Sequence, residues 1–496
     1  MRHRNFYCTL ILMTYFFFNG CINLGPDYQK PDVNLDVPET YQYTYSGPYA
    51  PSTAETLVVG DRWWTVFRDP ELDRLVEEAL QNNWDIKLAA ARVMESRAQY
   101  VQTRADRFPS VDADGIWDRR RIPGPRDGNS ETFDTYELAA PAVFELDLWS
   151  KLAKASQASW DEILRDEENR HTVAQTIVAE TIRLYLEMEA AERRLQIAYQ
   201  SIEAFERSLK IVNTRYSRGL TSVLDIRQAR RILAQAEALV PEFRQQLGIA
   251  QQQLAVLLGR YPETRPARSQ PEDYYRRLEP VPPGLPATLL KRRPDIRAAE
   301  NDLKALTARV GVAKADRFPA ITLTGSYGWT SDDLSSLIES DSVIWNFTRG
   351  IVQPVFDAGK LKARQRAAEA RYRQGVAEYA KAVLNAFREV ESALLTRRMQ
   401  LERRQRELKF LTEARATQRV AQNRYLRGLT DYLDVLEAQQ TRFQAEDRLV
   451  LVDLTIYRNR VALHRALGGG WGRPEPMTTK NDGIFFDFVA NPGKIE

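Results

Sequence analysis

The longest pattern of apolar positions in the chain predicts very long helices. Residues 149–218 contain neither proline nor glycine, and within them apolar residues recur every three or four positions, at Leu195, Ala198, Ile202, Phe205, Leu209 and Val212. This spacing is the heptad seam of helices that pack as coiled coils. Further helical stretches follow Arg218 and occupy 360–427 and 429–467. At 1.5 Å per residue the first helix measures roughly 95 Å, which predicts an antiparallel stalk rather than a compact globule.

Four shorter stretches alternate apolar and polar residues and predict β-strands. They begin near Val111, Tyr136, Ile321 and Val343, and the faces are best separated at 136–147 and 321–329. Stretches of about ten residues with period two and aromatic residues near their ends are typical of membrane barrel strands. Strands of a soluble sandwich would show the same alternation. Because open strand edges are not tolerated in lipid, four strands would have to share a barrel, and three chains would supply twelve strands.

The same elements occur twice, about 210 residues apart. Ala105-Asp106-Arg107-Phe108-Pro109 returns as Ala315-Asp316-Arg317-Phe318-Pro319, and Arg218-Gly219-Leu220-Thr221 returns as Arg427-Gly428-Leu429-Thr430. A period this long predicts two similar half-structures rather than a solenoid. The first pair is offset by 210 residues and the second by 209. The two offsets differ by one residue. Because twin strands keep their apolar faces at an offset of 210 for the first strand and 209 for the second, we expect this one-residue slip in the outer loop between the two strands of a hairpin.

The N-terminus predicts an exported lipoprotein. Residues 1–4 are basic and residues 6–18 form an apolar run of 13, which suits a signal peptide and is too short to span a bilayer. The run stops at Asn19-Gly20-Cys21, which resembles the bacterial lipoprotein box in which the cysteine is lipidated. Phe18 stands where that box usually has leucine, and an ordinary cleaved signal followed by an incidental cysteine is the alternative.

Composition argues against several functions. A net charge of +3 with 28% charged residues provides no strongly basic footprint for nucleic acid. Three histidines and two cysteines leave little from which to build a metal or acid–base centre. No nucleophile elbow, phosphate loop or metal-ligand spacing occurs, so we expect neither an enzyme nor a cofactor.

Several motifs together resemble the TolC-like outer membrane efflux channels, in particular their NodT-type lipoprotein branch. They comprise Cys21 with Gly25-Pro26-Asp27-Tyr28, Trp63-Trp64 with Asp69-Pro70, the string Arg293-Pro294-Asp295-Ile296-Arg297-Ala298-Ala299-Glu300, both Asp-Arg-Phe-Pro sites and both Gly-Leu-Thr turns. The resemblance covers nearly all of residues 21–470. It implies a homotrimer with a twelve-stranded β-barrel in the outer membrane, lipid-anchored at Cys21, and a helical barrel in the periplasm. A periplasmic adaptor (membrane fusion) protein and an inner-membrane pump of the RND type would feed this passive exit duct.

The predicted fold is therefore an α+β membrane protein with an internal twofold repeat. Its segments are a signal peptide (1–20), an anchored extended segment (21–68), first-repeat helices (69–107), a β-hairpin (108–148), a helical hairpin with its tip near 216–224 (149–259), a proline-rich equatorial linker (260–286), a second-repeat helix (287–317), a second β-hairpin (318–357), a second helical hairpin with its tip near 425–433 (358–468) and a tail (469–496).

The two tips are candidates for adaptor docking. The residues concerned are Arg218, Gly219, Leu220, Thr221, Arg427, Gly428, Leu429 and Thr430. Turn chemistry alone also accounts for part of this pattern, because glycine permits a left-handed turn and a Thr or Ser can cap the next helix.

Acidic residues after the tips are candidates for a periplasmic gate. Asp434 and Glu437 lie three apart on one helical face, where the resemblance places acids at the closed entrance. In a trimer each would form a ring, and acidic rings favour cations. Acids in a first helical turn are also favoured by the helix dipole alone. Asp225 is the twin of Asp434, but Gln228 stands where Glu437 would be repeated.

A pore-free alternative is a periplasmic coiled-coil structural or adaptor lipoprotein. Such a protein would carry one helical hairpin and small β domains. It would not duplicate its strands beside each stalk, so the repeat favours the channel.

Overall fold

The computed structural model describes residues 23–32, 38, 40–43, 62–123, 130–270, 278 and 290–469. Cys21 and the predicted signal peptide lie outside these residues, as do residues 124–129 and 470–496. Within the described part, each repeat contains short helices, antiparallel strands, a long helix, a turn and a shorter helix.

The first repeat begins with two short helices, α1 (Pro70–Asn82) and α2 (Trp84–Ala105). Strands β1 (Ser110–Val111), β2 (Asp114–Pro123) and β3 (Ser130–Leu146) follow, and then helices α3 (Lys151–Ser217) and α4 (Val223–Leu257). Asp69 starts α1 by accepting hydrogen bonds from the backbone N–H groups of Glu71 and Leu72 at 3.0 and 3.3 Å.

The second repeat has the same order. It comprises α5 (Pro294–Ala315), β4 (Ala320–Ser331), β5 (Val343–Val352), α6 (Lys360–Leu426) and α7 (Tyr432–Ala466). Helices α3 and α6 each have 67 residues, and α4 and α7 each have 35. The two long helices therefore each measure about 100 Å, which confirms the predicted stalk. None of the helices in the described ranges is sufficiently long and apolar to cross a membrane.

The strands form one antiparallel sheet in the order β1-β3-β4-β5, with β2 also paired to β3. Asp114 pairs with Ala139, and their twins Thr324 and Thr348 pair with each other. Asp114 and Thr324 are 210 residues apart, whereas Ala139 and Thr348 are 209 apart. The one-residue slip therefore lies between the two strands of a hairpin, as the sequence predicts. β3 is 17 residues long, more than the alternation suggested, because it pairs successively with β1, β2 and β4.

One face of this sheet is apolar and exposed in the single chain. Its large side chains include Trp117, Leu138, Tyr327, Trp345, Phe347 and Ile351, and Trp345 is 74% exposed. This outward apolar band is the surface that a membrane barrel presents to lipid. In the described sheet, β2 and β5 each have one unpaired edge, so a single chain forms an open sheet and not a closed barrel.

The helical hairpins of the two repeats pack side by side, mainly through α3 and α7. The rings of Phe205 and Phe443 meet edge to face at 5.5 Å. Arg194 of α3 donates through Nε to Asp447 of α7 at 2.6 Å. These contacts bring both repeats into one long apolar core.

Residues 23–32 lie along α5. A Cβ atom on Gly25 would come within 2.8 Å of the Cα atom of Gly311, so this crossing requires glycine. Lys30 pairs with Glu300 at 3.2 Å and Lys154 with Asp27 at 3.4 Å. The segment that follows Cys21 is thereby held against the helices.

Candidate functional site at the helical tips

Both helical hairpins turn through the same backbone geometry. Gly219 and Gly428 each have φ 72°, in the left-handed region that favours glycine. The N–H groups of Leu220 and Leu429 donate to the carbonyl oxygens of Arg215 and Arg424, each at 2.9 Å. These bonds satisfy carbonyl groups that the helix ends leave free. An added Cβ on either glycine would meet nothing within 4 Å, so the backbone angle, and not lack of space, requires the glycine.

The eight predicted docking residues lie in these two turns. Leu220 and Leu429 are both largely exposed, and so are Arg218, Arg427 and both glycines. Thr221 and Thr430 are less exposed because each hydroxyl donates to an acidic side chain of the following helix, Asp225 and Asp434 respectively. The turns therefore present one exposed leucine each at the end of the stalk.

Asp225 is engaged in a capping box at the start of α4. Its carboxylate accepts from the backbone N–H of Ser222 at 3.0 Å and from the Ser222 hydroxyl at 3.1 Å, while its own N–H donates to Ser222 Oγ at 3.3 Å. Burial works to raise the pKa of Asp225. The hydrogen bonds from Thr221 and Ser222 outweigh it and hold the pKa below its usual value.

The second tip places its acids differently. Asp431 precedes α7 but makes no side-chain capping bond, and Asp434 accepts from Thr430. Asp434 and Glu437 are both exposed on the same side of the first turns of α7. Gln228, the twin of Glu437, is half-buried, and its Oε1 has no hydrogen-bond partner among the described residues. A carboxylate at that position would be costly to bury, which is a physical reason for the second acid to occur in one repeat only.

A cluster of four side chains joins the two hairpins just above the turns, and we call it the tip clasp: Arg215, Tyr425, Tyr432 and Ser208. The guanidinium of Arg215 lies 4.7 Å from the centre of the Tyr425 ring, and its Nη1 donates to the Tyr425 carbonyl oxygen at 3.4 Å. The Tyr425 and Tyr432 rings are 5.4 Å apart. Tyr432 donates its hydroxyl to Ser208 Oγ at 3.0 Å. Burial raises the pKa of Tyr432 to about 12, so this phenol stays protonated and able to donate.

The tip clasp was missed by sequence reasoning, although one signal for it existed. The dipeptides Arg215-Tyr216 and Arg424-Tyr425 recur before the two turns. Their repetition marked a shared feature but could not show which arginine meets which tyrosine.

A second unpredicted cluster, the linker clamp, fastens residues 265–270 at the middle of the stalk. Glu192 of α3 is 2% exposed and accepts from the backbone N–H of Arg268 at 3.0 Å, from Arg268 Nε at 3.2 Å and from Gln270 Nε2 at 2.7 Å. Arg268 also bonds to Glu71. A cavity of about 150 Å³ beside the clamp is lined by Tyr185, Met188 and Leu254, among others. The clamp ties the linker to both α3 and α1.

Comparison with known proteins agrees with this architecture. The family model described as outer membrane efflux protein matches residues 75–260 and 285–469, which correspond to the two repeats. The cation efflux system protein CusC of Escherichia coli O6:H1 is 33% identical over 469 residues, covering 94% of this chain and 98% of CusC. The probable outer membrane lipoprotein SilC of Salmonella typhimurium is 34% identical, covering 93% and 98%.

Solved structures show the same fold. The outer-membrane channel OprN superposes with a TM-score of 0.82 at 32% identity, covering 90% of this chain and 99% of OprN. A crystal structure of CusC gives a TM-score of 0.80 at 32% identity, with the same coverage. The family and fold predicted from the motifs are thus confirmed: the chain belongs to the outer membrane efflux protein family and is a TolC-like, NodT-type outer membrane efflux channel.

Proposed function

We propose that three copies of this chain assemble into one continuous duct that carries small molecules or ions from the periplasm to the cell exterior. The open sheet carries this proposal. The sheet is four strands wide, because β1 and β2 follow each other along the same edge of β3. With an apolar outer face and free edges at β2 and β5, it is not a finished membrane structure. Three such sheets would close a barrel of twelve strands, an even number of the kind that outer-membrane barrels have.

A periplasmic adaptor and an inner-membrane pump of the RND type would supply cargo and energy to this duct. The tips provide the surface on which the adaptor would dock, because each offers an exposed leucine and an exposed arginine: Leu220 with Arg218, and Leu429 with Arg427. Lipidation of Cys21 would anchor the N-terminus to the outer membrane. The attachment of residues 23–32 along α5 then fits a tether on the outside of the helices.

The names of the relatives indicate that this architecture serves several kinds of cargo. CusC is named for cation efflux, whereas TtgI of Pseudomonas putida, 34% identical over 454 residues, is named for toluene efflux. We therefore assign the choice of cargo to the pump and assign to this chain the passive path.

The periplasmic gate would consist of Asp434 and Glu437, assisted by Asp225. The exposed carboxylates of Asp434 and Glu437 would form two acidic rings around a threefold axis. Asp225 is held in its capping box, so its contribution would be to keep the first tip in shape while the acids of the second tip face the lumen.

The double variant Asp434→Ala with Glu437→Ala tests the gate in planar bilayers. We expect higher single-channel conductance and a severalfold lower preference for cations, because the rings lose their charge. Glu402→Ala, which removes an exposed acid far from the tips, serves as the matched control and is expected to change neither quantity. Conductance and selectivity equal to those of the unmodified trimer would refute the gate. A chain that neither trimerises nor conducts would refute the duct and favour a pore-free scaffold.

A further inference from the structure

One contact of the tip clasp joins two residues that both repeats contain. Arg215 of the first repeat covers the ring of Tyr425 in the second. The sequence twins of these residues are Arg424 and Tyr216, each 209 positions away. Tyr425 is 6% exposed, whereas Tyr216 is 47% exposed and Arg424 is exposed too. The chain thus carries a second arginine and a second tyrosine of the same kind. In the part of the chain that the structure describes, these two do not meet, and Arg424 donates to the carbonyl oxygen of Leu429 at 3.3 Å.

The other hairpin-to-hairpin contacts described above are not duplicated in this way. The twins of Arg194 and Asp447 are Arg403 and Ala238, those of Phe205 and Phe443 are Ala414 and Ala234, and those of Ser208 and Tyr432 are Thr417 and Val223. Each of these pairs has lost at least one of the two chemical groups that make the contact. Among these contacts, the arginine–tyrosine pair is the one that both repeats retain.

We propose that Arg424 packs over the ring of Tyr216 of the partner subunit and so joins neighbouring copies at the tips. The inference rests on the proposed trimer. When two repeats per chain are arranged around a threefold axis, the second hairpin of one copy lies beside the first hairpin of the next. That neighbourhood reproduces the one seen within the chain, where α3 of the first hairpin packs beside α7 of the second. Its counterpart between copies is α6 beside α4 of the partner subunit.

The exposed side chains on these two helices fit a second copy as the occupant. Val223 and Leu224 at the start of α4 and Leu426 at the end of α6 are each more than half exposed in the single chain. Their exposed apolar area lies next to Tyr216 and Arg424 in sequence. A hairpin of a second copy would cover this area, as the first hairpin covers Tyr425 and Tyr432 within the chain.

The contact between copies would be the weaker of the two kinds. Where the tip clasp has the second ring of Tyr432 and its hydrogen bond to Ser208, the junction between copies has Val223 and Thr417. Valine supplies neither an aromatic ring nor a donor. The six tip contacts of the trimer would therefore alternate, three strong within chains and three weaker between chains.

Cysteine crosslinking of the full-length trimer in membranes tests this arrangement. With Tyr216→Cys and Arg424→Cys in the same chain, a short bismaleimide is expected to link neighbours into covalent trimers on a denaturing gel. The matched pair Arg215→Cys and Tyr425→Cys is expected to leave the chain at monomer mass, because its partners lie in one copy. Each single-cysteine variant should also stay at monomer mass.

A second measurement uses the unmodified protein. Hydroxyl-radical labelling of the trimer should modify Tyr216 severalfold less than Tyr261. In the single chain Tyr216 is 47% exposed and Tyr261 is 83% exposed, so exposure there predicts a difference of less than about twofold. Trimers of confirmed mass that show no crosslink at 216–424 and strong labelling of Tyr216 would overturn this contact and leave the proposed duct intact. A purified protein of monomeric mass would overturn the proposed duct and this contact together.

Discussion

The hydrogen bond between Tyr432 and Ser208 permits a test of the tip clasp by removal of a single oxygen atom. Tyr432 is 2% exposed and Ser208 is also buried, and the two oxygen atoms are 3.0 Å apart. Tyr432→Phe keeps the ring packing but removes the donor. A buried hydrogen bond of this kind contributes about 1 kcal/mol. In a channel that opens by separating its hairpins, only the closed state loses this energy.

Three copies would lose about 3 kcal/mol together, which would lower the ratio of closed to open channels by more than about 100-fold if all subunits open as one. Purified trimers in planar bilayers report this ratio as the fraction of time spent in the high-conductance state. Tyr199→Phe is the matched control, because it removes a phenolic oxygen that bonds to Arg244 on an exposed surface within one hairpin. We expect the control to gate like the unmodified channel.

An unchanged open fraction in intact Tyr432→Phe trimers would contradict this prediction. It would show that this bond survives opening, or that opening takes place without separating the two hairpins of a chain. In that case the weaker contacts between copies would have to account for gating alone.

Two further predictions concern the stalk. Glu192→Ala removes the acceptor that Arg268 and Gln270 share in the linker clamp, and it is expected to lower stability by about 3 kcal/mol and to speed trypsin cleavage after Arg268. Glu192→Gln keeps an oxygen acceptor for the backbone N–H and should have a smaller effect, whereas equal cleavage of all three proteins would argue against the clamp. Burial raises the pKa of Asp161 to about 6, with Lys304 opposing and Glu162 adding to the rise. The folded state then keeps a proton that the unfolded state releases, so stability falls as the pH rises from about 4 to 6. Thermal scans across this range should show a flatter slope for Asp161→Asn, and an unaltered slope would contradict this assignment.

The long helices could be predicted because their signals are local. A run without proline or glycine and a three–four apolar spacing are both properties of neighbouring residues. Local rules nevertheless have limits, since Pro241 lies inside α4 without ending it. Val240 and Phe243 on either side pack against Leu195 and Ala198 of α3, and this tertiary packing outweighs the lost backbone hydrogen bond.

The contacts at the tips could not be predicted in the same way. Arg215 and Tyr425 are 210 positions apart, and no spacing rule connects them. The turns themselves followed from glycine, because its backbone freedom is a property of one residue. The difference between Asp225 and Asp434 had a local signal, namely the residue three positions before each acid. Ser222 completes a capping box that Asp431 does not provide.

The matched lengths of the helices determine at what depth the duct ends. Helices α3 and α6 have 67 residues each and begin at equivalent positions of the two repeats, Lys151 and Lys360, so both turns lie at the same distance from the membrane. Whatever docks there would meet a level rim of six loops. One extra heptad in both helices of one hairpin would move three of the six loops about 10 Å further from the membrane, and the loops would then end at two different levels. The one-residue slip between the repeats falls in the strand hairpin, where it changes no helix and keeps the rim level.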